Sequence, residues 1–113
     1  MTFSTHLLEE IEKQKSDDRE KMRIKVLEKT KVVIKEYFIL FNLKSLYITG
    51  SLIVPYKFGN RSDIDIAVEG FPEDKYFLAM AELEEKLARK IEIIELENCR
   101  FASQIRSNGM QII

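Results

Sequence analysis

The feature that most constrains the fold is a strand-like run that contains two aspartates. Residues 63–68 read D-I-D-I-A-V, so acidic and apolar side chains alternate along it. Because side chains on a strand alternate between faces, Asp63 and Asp65 project together while Ile64 and Ile66 enter the core. One face of this strand must therefore pack against other elements, and the other must meet water or a ligand.

Two carboxylates on one strand face lie about 7 Å apart and repel each other unless something positive lies between them. If the pKa of one acid is raised, that acid keeps its proton and the repulsion disappears. A divalent cation would neutralise the charge more fully, and ligands that are all oxygen favour Mg²⁺ or Mn²⁺. The alternative for an isolated D-x-D pattern is a solvated strand edge.

A Gly-Ser pair follows another predicted strand, S-L-Y-I-T at residues 45–49. Glycine at position 50 lets a phosphate approach the backbone, and a helix that starts there would direct its N–H groups at the anion. An ordinary turn at Gly50 and Ser51 is the alternative interpretation. The Gly-Ser pair indicates a phosphate site only in combination with the two aspartates.

A third predicted strand, I-E-I-I-E-L at residues 91–96, supplies a further acid. Glu92 lies at its start, Glu95 faces the opposite side, and Glu97 lies at or beyond its end. Three acids on adjacent strands beside a phosphate-binding turn are typical of a phosphoryl-transfer site of the two-metal type. Glu92 is therefore the predicted third carboxylate.

Helical periodicity dominates the first part of the chain. Residues 5–42 predict helix, because apolar residues recur at spacings of three and four. The predicted stripe consists of Val26, Leu27, Thr30, Val33, Ile34, Tyr37, Phe38 and Phe41. Asp17 and Glu20 could form a capping box, so one helix or two remain possible. A second helix is expected from Pro72 to about Lys90, and a short one near 102–106, before an apolar end at 110–113. The second helix is predicted to bury four apolar side chains: Phe77, Met80, Leu83 and Leu87.

The order of elements predicts an α+β fold. The helix between the second and third strands makes a crossover, so these strands should be parallel neighbours. The segment between the first and second strands is too short to form a crossover helix, so these two strands should be antiparallel. We expect a small mixed sheet packed with helices, with an N-terminal helical segment over 1–42 and the sheet domain over 43–113, together one compact domain.

Composition excludes several classes of function. The 113 residues carry a net charge of −1, which argues against direct nucleic-acid binding as the main task. Cys99 is the only cysteine, so no internal disulfide can form. No apolar run approaches the roughly 20 residues of a membrane span, and acids interrupt the N-terminal region. We expect a cytoplasmic protein.

The combined pattern, Y-I-T-G-S followed by S-D-I-D-I-A-V, resembles the signature of the DNA polymerase beta-like nucleotidyltransferase superfamily. Within it, the chain is similar to the minimal nucleotidyltransferases, many of which are antitoxins paired with a HEPN protein. The resemblance covers roughly 43–113. It implies the nucleotidyltransferase fold.

The resemblance also implies roles for particular residues. Gly50 and Ser51 would bind the triphosphate of ATP or another nucleotide, and Asp63 and Asp65 would hold Mg²⁺ or Mn²⁺. Glu92 would occupy the place of the third acid, which activates the attacking hydroxyl and contributes to the metal site.

Three residues of the loop before the aspartates complete the predicted nucleotide-binding set. Lys57 and Arg61 could contact phosphate oxygens, although a solvated loop is the alternative. Ser62 could orient Asp63 or cap the loop. Tyr56 and Phe58 could stack on a base or cover the core.

The leading hypothesis is transfer of AMP from ATP to a hydroxyl of an all-helical HEPN toxin. The alternative is a binding module with a weakened site that neutralises its partner by contact, and a third is a nucleotide sensor. The N-terminal helical segment is expected to offer a surface for docking or homo-oligomerisation.

Overall fold

The computed structural model describes residues 4–113, and its centre is a four-stranded sheet in the order β3-β2-β1-β4. The strands are β1 (Ser45–Thr49), β2 (Ile64–Glu69), β3 (Ile91–Glu95) and β4 (Met110–Gln111). β1 pairs antiparallel with β2 and β4, whereas β2 and β3 are parallel. The predicted directions of the first three strands are confirmed.

β4 was not predicted, because two residues are too few to show the alternation that identifies a strand. The segment that contains it was expected only to be apolar. In the structure, the Ile112 N–H donates to the Leu46 carbonyl at 2.7 Å, and the Leu46 N–H donates to the Ile113 carbonyl at 3.1 Å. These bonds and β4 make β1 an internal strand.

The N-terminal helical segment is one continuous helix, α1 (Thr5–Phe38), followed by a 3₁₀ turn over Ile39–Phe41. Asn42, with φ of 55°, ends it. The possible break at Asp17 does not occur, because the Glu20 carboxylate binds Arg23 one turn further along instead of closing a capping box. Residues 1–3 of the expected segment lie outside the described residues.

The main core lies between one face of the sheet and two helices. α1 buries Leu27, Thr30, Ile34 and Phe38, which confirms the predicted stripe. The second helix, α2 (Tyr76–Leu87), follows a 3₁₀ turn over Glu73–Lys75. The sheet contributes fully buried residues from three strands: Leu46, Ile48, Ile64, Ile66, Val68 and Ile91.

α2 differs from its prediction at both its buried face and its end. Leu83 and Leu87 are buried as expected and Met80 is half-buried, but the third buried residue is Ala79, and Phe77 is 86% exposed. Successive side chains of a helix are about 100° apart, so Phe77 points away from a stripe that includes Ala79 and Leu83. The helix ends at Leu87, before the predicted Lys90, because Ala88 adopts the left-handed conformation.

The opposite face of the sheet is covered only in part. The third helix, α3 (Ala102–Asn108), places Ile105 in a smaller cluster with Tyr47, Ala67 and Leu96. Leu96 belongs to a 3₁₀ turn that follows β3. None of the helices described over 4–113 combines the length and apolar character that a bilayer crossing requires.

Candidate functional site

The pairing of β1, β2 and β3 brings three polar side chains into one row. Asp65 is paired with Thr49 on one side and with Glu92 on the other. Since side chains two residues apart share a face, Asp65 lies on the face of Ala67, away from the main core. Asp63 comes one residue before β2 and is half-buried, so it is not the first strand residue that the sequence predicted.

Gly50 lies directly against the Asp65 carboxylate. Its φ is 75°, and a Cβ atom at this position would lie 2.4 Å from Asp65 Oδ2. Any larger residue would therefore displace the carboxylate and would also adopt an unfavourable backbone conformation. The glycine is required here by both space and geometry.

The surroundings of Asp65 disfavour its negative charge. Burial, followed by the charge of Glu92, a hydrogen bond with Glu92 and the charge of Asp63, raises the pKa of Asp65 to about 6. Within residues 4–113 no hydrogen-bond partner reaches its buried Oδ1 atom. A buried carboxylate oxygen without a donor is a place where a cation or a proton would be stabilising.

These acids fit a magnesium ion that shares its ligands with a substrate. Among the described residues, no three His, Cys, Asp or Glu side chains converge closely enough to hold a metal by themselves. Mg²⁺, however, is usually bound by one or two carboxylates together with phosphate oxygens of the substrate. The unpartnered Oδ1 of Asp65 and the neighbouring Glu92 supply ligands of that kind.

The other predicted residues lie in the segment that connects β1 to β2. Ser51 is half-buried in the 3₁₀ turn that begins at Gly50, whereas Lys57 and Arg61 are exposed. Ser62 Oγ accepts the Gly59 N–H at 2.9 Å, so Ser62 caps the loop. Of the two loop aromatics, Phe58 is buried in the core and Tyr56 is 59% exposed.

Arg89 is a residue near the site that the sequence reading missed. Its Nη1 donates to the carbonyls of Gly59 at 3.2 Å and Ser62 at 3.0 Å. Its guanidinium also lies over the Phe58 ring, 4.4 Å from the centre. The sequence did contain a signal for Arg89. In a parallel crossover, the segment between the helix and the next strand lies beside the start of the preceding strand, where the acids are.

A second arginine, Arg23 of α1, holds the earlier half of the same loop. Buried Arg23 donates to the Leu52 carbonyl at 2.9 Å and makes two hydrogen bonds to Glu20. Glu20 Oε1 accepts the N–H of Tyr56, whose φ is 65°. The hydrogen bond from Arg23 is the largest cause that lowers the pKa of Glu20 to about 2.

A mixed sheet with this glycine turn and these acids defines the nucleotidyltransferase class. The sequence profile described as "Polymerase beta, Nucleotidyltransferase" matches residues 28–113. The chain therefore belongs to the polymerase beta nucleotidyltransferase family.

Two solved structures are similar to the fold. A toxin-antitoxin crystallised with AMP-PNP has a TM-score of 0.60 at 20% identity, over 75% of this chain and 72% of the other. The toxin-antitoxin MntA-HepT has a TM-score of 0.53, also at 20% identity, over 77% and 70%. No curated protein matches the chain at a significant level.

Proposed function

We propose that this protein is an antitoxin that transfers AMP from ATP to a hydroxyl group of a HEPN-type toxin. The observation that carries the proposal is the row of Asp65 and Glu92 beside Gly50. Family membership supports nucleotidyl transfer in general. The proposal adds that the nucleotide is ATP and that the acceptor is a hydroxyl group of a protein.

The chemistry is an in-line displacement at the α-phosphorus of ATP. The acceptor oxygen forms a bond to phosphorus, the bond to the leaving pyrophosphate breaks, and the acceptor proton passes to a carboxylate. Glu92 is the proposed base, because its exposed side chain can meet an acceptor that arrives from outside. Asp65 is less suited to this role, because its carboxylate lies against Gly50 and its Oδ1 atom is buried.

Asp63, Asp65 and Glu92 would hold the divalent cation together with phosphate oxygens. Bound there, Mg²⁺ or Mn²⁺ would neutralise phosphate charge as it develops. The turn at Gly50 and Ser51 would bind the triphosphate through backbone N–H groups, with Ser62 at the far end of the loop. Lys57 and Arg61 are exposed and free to meet the outer phosphates.

The similar structures and the exposed start of α1 support the proposed partner. Both similar structures are toxin-antitoxin crystals, and one contains AMP-PNP, an analogue of ATP. The first turns of α1 expose Leu7, Leu8 and Ile11 at 45%, 50% and 43%. An all-helical protein could pack on these apolar side chains and bring its hydroxyl to the sheet.

Labelled ATP tests the proposal directly. The protein and Mg²⁺ are incubated with a HEPN-type toxin and with ATP labelled at the α-phosphate. We expect label on the partner, and we expect Asp65→Asn to reduce the rate about 10³-fold, as for other lost electrostatic groups in active sites. Asp74→Asn is the matched control, since Asp74 is an exposed residue of the turn before α2.

A second function, neutralisation of the toxin by contact alone, is favoured by the exposed apolar start of α1. It predicts that Asp65→Asn still neutralises the toxin without labelling it. Replacement of Leu7 and Ile11 by serine would then abolish neutralisation. Label that persists on the partner with Asp65→Asn would instead contradict the assignment of the acids.

A further inference from the structure

We infer that Arg89 is a positioning residue that fixes Asp63 at the candidate site. The inference rests on the proposed function, because it assigns Asp63 a place at the metal and the nucleotide. Arg89 touches neither aspartate in the hydrogen bonds that the structure describes. It acts on Asp63 through the backbone on either side of it.

The turn that precedes Asp63 is closed by its own hydrogen bonds. The Ser62 N–H donates to the Gly59 carbonyl at 3.1 Å, and the Gly59 N–H donates to Ser62 Oγ at 2.9 Å. Arg89 then binds both of the carbonyls at the ends of this turn, Gly59 and Ser62. One guanidinium nitrogen therefore ties the turn to the connection between α2 and β3.

Asp63 is held on its other side by the next residue along the chain. The Ile64 N–H donates to the Lys90 carbonyl at 2.9 Å. The residues before and after Asp63 are thus bound to Arg89 and Lys90, which are adjacent. The backbone of Asp63 is fixed between two anchors on the connection between α2 and β3.

The Arg89 side chain is itself well held. Its guanidinium lies on the Phe58 ring at 4.4 Å, and Nη2 lies 3.2 Å from the sulfur of Met22 on α1. Phe58 is 1% exposed, so the ring is a fixed surface. Packing of this kind limits the rotamers of a long side chain, which is what a positioning group requires.

Such support is needed because the two aspartates repel each other. Asp63 lies outside β2, so no strand pairing holds it against that repulsion. The hydrogen bonds of Arg89 and Lys90 provide the restraint that strand pairing does not.

The test compares Arg89→Met, Arg89→Lys and Lys86→Ala. Methionine can still pack on Phe58 but donates no hydrogen bond, lysine restores a donor, and exposed Lys86 at the end of α2 is the control. Steady-state transfer from ATP gives kcat and KM. We expect Arg89→Met to lower kcat about 10- to 100-fold with little change in KM for ATP, since misplaced groups slow the reaction by such factors.

Arg89→Lys should recover part of that loss, and Lys86→Ala should match the unaltered protein. Amide hydrogen exchange should rise over 60–64 in Arg89→Met while the core of α2 stays protected. A kcat equal to that of the unaltered protein, or a lower kcat with unchanged exchange over 60–64, would overturn the inference. If Arg89→Met does not fold, the same two measurements on Arg89→Lys decide in the same way.

The exchange measurement separates this inference from the proposed function. If the unaltered protein transfers no nucleotide, the proposed function fails, while faster exchange over 60–64 still supports the anchoring. If the unaltered protein is active and the Arg89 variants behave like it, the inference alone fails.

Discussion

The two faces of the sheet are built on opposite principles. The face under α1 and α2 is apolar and closed, and Ile66 and Val68 at its centre are fully buried. The other face carries Asp65 and Glu92 at one end and only a small cluster around Ile105 at the other. The same strands thus provide a core on one side and reactive groups on the other, because their side chains alternate.

Each face also contains a buried oxygen that lacks a hydrogen-bond partner among the described residues. Thr30 Oγ1 is buried in the closed core, and Asp65 Oδ1 is buried at the acidic end. The two atoms are equally unsatisfied, but only Asp65 has neighbours that suit a ligand. An unpaired buried atom therefore indicates a site only when the groups around it can bind the same ligand.

The largest expected effect on stability comes from the closed face. Ile66→Ala removes fully buried methyl groups and should lower the free energy of unfolding by about 3 kcal/mol. Urea denaturation measures it, with Ile39→Ala as the control, because Ile39 is 63% exposed. An equal loss in the two variants would show that the face under α1 and α2 is not the main core.

Asp65→Asn should have the opposite effect on stability and should change its pH dependence. The raised pKa means that the folded protein binds more protons than the unfolded chain between about pH 4 and 6. Its free energy of unfolding therefore falls as the pH rises through that window. Asparagine resembles the protonated acid, so the variant should escape this fall and be about 1.5 kcal/mol more stable at pH 7 after solvent screening.

Denaturation of both proteins at pH 4, 5, 6 and 7, without metal, measures this effect. The two curves should nearly coincide at pH 4 and separate toward pH 7. Curves that run parallel over the whole range would show that Asp65 ionises as an ordinary aspartate.

Thr30→Val gives the smallest change and tests the unpaired oxygen of the closed face. Valine has the same shape without the hydroxyl, so removal of the unsatisfied group should stabilise the protein by about 1 kcal/mol. Transfer activity should stay unchanged, in contrast to Asp65→Asn. Thermal unfolding and the labelled-ATP assay, run on both variants, decide whether stability and function separate as the two faces do.

Much of the fold could be predicted because the local patterns are strong. The strand at Ser45–Thr49 was predicted at its observed bounds, and the second strand was displaced by one residue. The crossover rule supplied the parallel pair that sets Glu92 beside Asp65. Alternation and connection length are local properties, so the sequence displays them directly.

Most of the features that could not be predicted from the sequence depend on contacts between distant segments. The hydrogen bonds of Arg89 link it to carbonyls 27 and 30 residues away, and no periodicity marks such contacts. β4 exists only because β1 offers an unpaired edge to it. Phe77 was assigned to the core, but the buried face of α2 includes the small Ala79 instead and Phe77 is exposed.

The position of β4 has a consequence for the order of folding. The pairing of Tyr47 with Gln111 joins the most distant partners in the sheet, and contacts so far apart in sequence form slowly. Until residues 110–113 arrive, β1 keeps one unpaired edge that is rich in apolar side chains. Such an edge can add a strand from another molecule, so the nascent protein is most prone to aggregate at this stage.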